Sequence, residues 1–201
     1  STDLDYLRGI AESGRRAPLL GGRFLTWWGA LTTAAYAGHY AIVTGIISGG
    51  GAALGWLWVS FMVLGMGGQF VLQRTLSPTK PGAGSVGNRA ERVVWQAAGL
   101  SLFGYFVALI VKSVLTGTAD MGFAYSLAVV FIAYGVSLVT TGVLGESPIL
   151  QRAGVAALCL VPVAAWFAGT AASWLIASIG AALCVLLPGA LMLKHEPRGV
   201  S

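Results

Sequence analysis

Charge is what this sequence has least of. Lys, Arg, Asp and Glu together make up 9% of its 201 residues, while hydrophobic residues make up 56%. Soluble domains carry about a quarter charged residues. A chain of this length cannot bury so much apolar surface in one water-facing core, so the deficit excludes an ordinary soluble domain and points to lipid as the solvent. Lipid offers the backbone no hydrogen bonds, which leaves helices or closed barrels. Barrel strands alternate over about 10 residues, whereas the apolar runs here are continuous and roughly twice that length, so helices are expected.

Cysteine is scarce too. Cys159 and Cys184 both fall inside apolar runs, which excludes a disulfide framework and a zinc site needing about four ligands. Ionisable groups are missing from the middle of every apolar run. That absence argues against a proton-coupled antiporter or an aspartate-based pump, since such machines place costly ionisable groups at membrane depth. No nucleophile–base pair and no metal cluster is visible, so no enzyme activity and no cofactor are expected. Paired histidine ligation of a haem is excluded by position, because His39 and His195 belong to opposite membrane surfaces. No aromatic-interleaved basic patch suggests nucleic acid.

What is present is a pattern of six apolar spans: 24–47, 52–73, 93–115, 122–144, 153–170 and 172–193. About 20 helical residues cross a hydrocarbon core of roughly 30 Å. Short junctions at 48–51, 116–121 and 170–172 imply three antiparallel hairpins. Residues 2–14 read as an amphipathic helix lying on the cytoplasmic surface, with Thr2 as its cap, Leu4, Leu7 and Ile10 on one face, and Arg15-Arg16 following. The polar, acidic opening is the wrong start for a cleavable signal, so the first span is expected to act as its own insertion signal. The organisation is therefore a cytoplasmic helix and linker (1–22), a six-helix membrane domain (23–194) with a cytoplasmic loop at 74–92, and a cytoplasmic tail (195–201).

Orientation follows from the basic residues. With the N-terminus in the cytoplasm, Arg8, Arg15, Arg16, Arg23, Arg74, Lys80, Arg89, Arg92, Arg152, Lys194 and Arg198 all fall on that side, and only Lys112 falls outside. This is the positive-inside bias, and six spans bring the C-terminus back to the cytoplasm. The tryptophans read as an interfacial belt, with Trp27, Trp28 and Trp95 inside and Trp56, Trp58 and Trp174 outside.

Candidate functional positions are few. His39, in the outer third of the first span, is placed to join Tyr40, Lys112 and Asp120 in a polar cluster, either as a pH-responsive contact or as an interhelical hydrogen bond. Gln69 and Gln96 fall at similar depth on neighbouring spans and are placed to bond as an inner helix contact. Pro162 and Pro188 each follow a cysteine within a span and are candidate hinges. Ala30, Ala34 and Gly38, with Gly65, Gly67, Gly68, Gly104 and Ala108, offer small-residue faces for close helix packing.

The reading is a non-enzymatic membrane protein of a bacterial inner membrane that packs with another membrane protein or with itself, as an accessory, scaffold or regulatory subunit. The competing reading is a facilitative channel or transporter for a small neutral solute, lined by hydroxyls. For the topology, an alkaline-phosphatase reporter fused at the C-terminus or in loop 74–92 should be inactive; activity at either place would overturn the N-in, C-in arrangement.

Overall fold

The computed structural model describes residues 19–75, 84–118 and 121–194. The surface helix expected at 2–14 and the tail 195–201 lie outside them. The described residues form six helices: α1 (Gly22–Val43), α2 (Gly50–Thr75), α3 (Val86–Thr116), α4 (Gly122–Leu144), α5 (Pro148–Trp166) and α6 (Ala171–Lys194). There is no strand among them. Five of the helices, α2 to α6, are long and apolar enough to cross a membrane, and the chain is read as a multi-pass membrane protein on that ground.

The remaining helix, α1, is long enough but carries more polar tips: Thr26, Thr32, Thr33, Tyr36, His39 and Tyr40. Its place explains the composition. It packs against α6 along its length and against α2, so protein and not lipid meets most of its polar atoms. The most extensive packing in the molecule joins α4 to α5, and α3 packs along α4. The centre is thus built from α1, α4, α5 and α6, around Phe131, Leu127, Leu138, Leu150 and Val185. By contrast, α2 and α3 stand at the margin.

Helix boundaries differ from the apolar runs for local reasons. The third helix begins seven residues before its run, because Ser85 caps it: the Ser85 hydroxyl accepts from the Asn88 N–H at 3.2 Å. The fifth begins at Pro148, directly after Ser147, where a proline's missing N–H costs nothing. Arg152 and Gln151 had interrupted the apolar pattern there. The first ends at Val43, and Gly45, Gly49 and Gly50 turn the chain with positive φ.

The two candidate hinges behave differently. Pro188 lies just after a π-helical turn, Ala182–Leu186, in which the Leu187 N–H reaches the carbonyl of Ala182. The widened turn absorbs the hydrogen bond that Pro188 cannot donate. Pro162 sits within α5 with no such widening.

The close approaches rest on glycine. A Cβ added at Gly29 would stand 2.6 Å from the backbone nitrogen of Leu186, within the π turn, so α1 and α6 meet backbone to backbone. Between α4 and α5, Gly135 and Gly154 face each other, and a Cβ on Gly154 would lie 2.6 Å from the nitrogen of Val139. Of the expected small-residue face on α1, only Gly38 meets a neighbouring helix closely, at Leu57 of α2, while Ala30 and Ala34 are exposed. Replacing Gly154 with leucine should therefore destabilise the bundle by about 1–3 kcal/mol or more. The same change at Gly67, which has open space around it, should be close to neutral. Unfolding in mixed detergent would compare the two.

Candidate functional site

The polar side chains of the interior gather at three levels of α1, and each level draws its partners from different helices. At the level of His39, three turns of aromatic residues converge. The imidazole stacks on Trp174 of α6, with ring centroids 3.5 Å apart and planes 12° from parallel. The indole N–H of Trp58, on α2, donates to His39 Nδ1 at 3.2 Å. An accepting Nδ1 assigns the proton of a neutral imidazole to Nε2. Tyr36, one turn before His39, packs its ring against both tryptophans. His39 is thus an orienting hinge-pin between α1, α2 and α6.

This corrects the belt reading for Trp58 and Trp174 on the outer side, and on the inner side Trp28 and Trp95 also meet neighbouring helices. Trp58 and Trp174 turn inward, because one N–H finds an acceptor and both rings find aromatic faces. Trp56 remains exposed, as a belt residue should. Of the remaining members of the expected cluster, Tyr40 is half-buried on α1, with its carbonyl accepting from Thr44, Lys112 is exposed on α3, and Asp120 lies outside the described residues.

At mid-height, the hydroxyls of Thr32 on α1 and Tyr134 on α4 lie 3.4 Å apart. Tyr134 also packs against the ring of Trp95 on α3. The Ser178 hydroxyl of α6 donates to the carbonyl of Thr33 at 2.9 Å. Gln69 meets α1 and not α3: its Oε1 accepts from the Trp28 N–H at 2.8 Å. Gln96 is exposed on α3, and no hydrogen bond among the described residues joins the two amides. Depth placed them alike, but α2 and α3 occupy different margins of the bundle.

At the third level, the chain entering α1 is gripped by the first turns of α3. The Leu20 N–H donates to Asn88 Oδ1 at 2.8 Å, and Asn88 Nδ2 donates to Ser85 Oγ at 3.0 Å. Leu19 lodges between Gly87 and Gly145, where added Cβ atoms would meet it. Glu91 sits against Gly21 and is 6% exposed. The 31-residue α3 is about 46 Å long, well beyond the hydrocarbon thickness. Its apolar stretch begins at Val93, so Asn88 and Glu91 stand on the overhang outside the membrane-spanning part. Loss of water by burial pushes the Glu91 carboxyl up to about 7, against the opposing effect of the Gly21 N–H. Its Oε1 is buried and has no hydrogen-bond partner among the described residues; the same holds for Nε1 of Trp27 and of Trp95.

Asn88 and Glu91 fall within the cytoplasmic loop expected at 74–92, and the structure puts both on the first turns of α3. The signal that marks them is the cap spacing, Ser85 followed three residues later by Asn88 and six by Glu91, which extends the helix backwards and puts both side chains on one face. Among the described residues, no group of three or more His, Cys, Asp and Glu side chains is placed to hold a metal ion. The arrangement can hold and release a proton at Glu91 and can fix helices through buried donors and acceptors. Compared with family models, curated proteins and solved structures, the chain matches none.

For the His39 level, the Trp58 N–H needs an acceptor once buried. His39→Leu removes it, while His39→Gln can supply an amide oxygen in its place. The glutamine variant should keep most of the stability that the leucine variant loses. A double-mutant cycle of His39→Leu with Trp58→Phe should show a favourable coupling of about 0.6–1.7 kcal/mol, the range for interhelical hydrogen bonds in membranes. Zero coupling would remove His39 from this role.

Proposed function

We propose that this chain is a non-enzymatic assembly module of a bacterial inner membrane. Six spans form three hairpins with both termini in the cytoplasm, and α3, with α2, is presented to a further transmembrane helix of a partner subunit or of a second copy. The observation that carries this reading is the condition of α3. None of its most apolar 18-residue window is buried by the rest of the chain, against 50% for α4.

Helix association in lipid depends on close van der Waals packing at small residues, because lipid tails are as apolar as leucine. On α3 the residues Ala97, Ser101, Gly104 and Ala108 are all exposed. Their spacing puts them in one stripe beside the face that packs on α4. A Cβ at Gly99 or Gly104 would meet nothing within 4 Å. Gln96, exposed on the same helix, has an amide that hydrocarbon cannot satisfy. The α2 helix is similar, with 6% of its window buried and Gly67 facing open space. Core glycines of α1, α4 and α5 are used for contact, as are Gly65 and Gly68 of α2 against the tryptophans of α1, whereas Gly55 and Gly67 of α2 and Gly99 and Gly104 of α3 are spare.

A second reading, a facilitative path for a small neutral solute, draws support from the mid-height hydroxyls of Thr32 and Tyr134 and the neighbouring indole of Trp95. The two readings separate experimentally. Purification from native membrane in gentle detergent should retain a stoichiometric second protein or a second copy. Gly104→Leu combined with Ala108→Leu should reduce that yield by about tenfold without lowering the thermal stability of the isolated chain. A monomer that loses nothing on this change, and passes small neutral solutes in proteoliposomes, would favour the second reading.

A further inference from the structure

The level at the base of α3 holds a titratable group that the assembly role does not use. Residues 19–21 form the strand of backbone that enters α1, and they are held by a single turn of α3 together with the α4–α5 turn. Leu19 fills the space that Gly87 and Gly145 leave. The Leu20 N–H is bonded to Asn88. Gly21 is covered by the Glu91 carboxyl so closely that any side chain there would collide with it. Asn88 and Glu91 are three residues apart and therefore share one helix face.

Among the described residues, no charged group neutralises Glu91. Arg23 of α1 is directed toward α2, with Nη1 3.5 Å from the Thr75 hydroxyl. Glu146 on the α4–α5 turn, Arg152 at the start of α5, and Lys194 at the end of α6 are exposed. Arg89 and Arg92, its neighbours on α3, are exposed as well. Burial and the Gly21 N–H are what shift the carboxyl, with no contribution from a neighbouring charge among the described residues.

We infer that Glu91, seated beside Asn88, is a protonation-controlled latch on the backbone entering α1: as the neutral acid it stays packed against Gly21, and as the carboxylate it leaves that contact for water and frees the segment. The chemistry is a simple proton equilibrium. The proton leaves the carboxyl for solvent, the carboxylate becomes hydrated, and Gly21 loses its cover. The sign follows from the raised value in the closed form. Below the ordinary carboxylate range, closed and open forms are both protonated, and the latch is at full strength. As pH rises toward about 7 the open form ionises while the closed form stays neutral, so closure weakens by up to about tenfold per pH unit. Above that value both forms are ionised and the loss levels off.

Amide hydrogen exchange on the full chain in lipid nanodiscs tests this. Protection of the Leu20 and Gly21 amides, normalised to intrinsic exchange rates, should be highest near pH 5 and fall by at least tenfold on reaching pH 7.5. Glu91→Gln, which imitates the neutral acid, should stay protected and lose the pH dependence. Asn88→Ala should lower protection at Leu20 at every pH while keeping the slope. Should Glu91→Gln fail to fold, the wild-type chain alone decides. Its infrared spectrum should show a protonated carboxyl disappearing around pH 7, in step with the loss of protection. Protection that is flat from pH 5 to 9 in the wild-type chain, or a slope unchanged in Glu91→Gln, would overturn the inference.

Discussion

In hydrocarbon, apolar side chains gain little by leaving the solvent, so helices hold together only where their backbones can come close. That constraint governs this molecule. At Gly29 against Leu186, and at Gly135 against Gly154, one helix reaches the main chain of the next with no side chain between them. Everything more specific hangs from these crossings. The Gly29 contact falls on the π turn of α6, so the irregularity set by Pro188 lies at the helix crossing itself. The same α1–α6 pairing brings Trp174 onto His39 and Ser178 onto the Thr33 carbonyl.

The polar groups then divide the work by depth. α1 is the one helix of the six without a stretch apolar enough to be read as a span on composition, and α2, α4 and α6 meet Trp28, Thr32, Tyr36 and His39 along it. His39 and Trp58 satisfy one another, as do Trp28 and Gln69. Some buried groups find no partner among the described residues: Trp27, Thr33, Trp95 and Ser113 within the apolar runs, and Glu91 Oε1 before the apolar stretch of α3 begins. The interior is ordered by such pairs, while the overhang of α3 retains a group able to change state.

Much of this was legible in the residues. Run length and missing charge identify the helices, since a continuous apolar stretch of this kind has no other stable form in lipid. Boundaries were less legible where polar residues belong to the helix. Arg152 hid the start of α5, and the polar turn Ser85–Glu91 hid the start of α3, although Pro148 at the first position of α5 and the Ser85 cap of α3 were present. Partners were least legible. Tryptophan near a span end fits a headgroup belt and an inward ring equally well, and only the meeting of α2 and α6 at His39 decides for Trp58 and Trp174. Depth likewise could not say that Gln69 turns to Trp28 and that Gln96 faces outward.

The outer helices remain the feature that most shapes the functional reading, because Gly99 and Gly104 in the apolar part of α3 meet nothing within the chain while Gly135, Gly142 and Gly154 on α4 and α5 meet a neighbouring helix. A photoreactive amino acid at Val111, on the side of the small-residue stripe, tests this directly in native membranes. A second at Ile110, on the side away from the stripe, serves as its control. Both positions are exposed. The expected result is a discrete protein adduct from Val111 and lipid adducts alone from Ile110. Lipid adducts alone from both positions would contradict the reading of α3 as an interface.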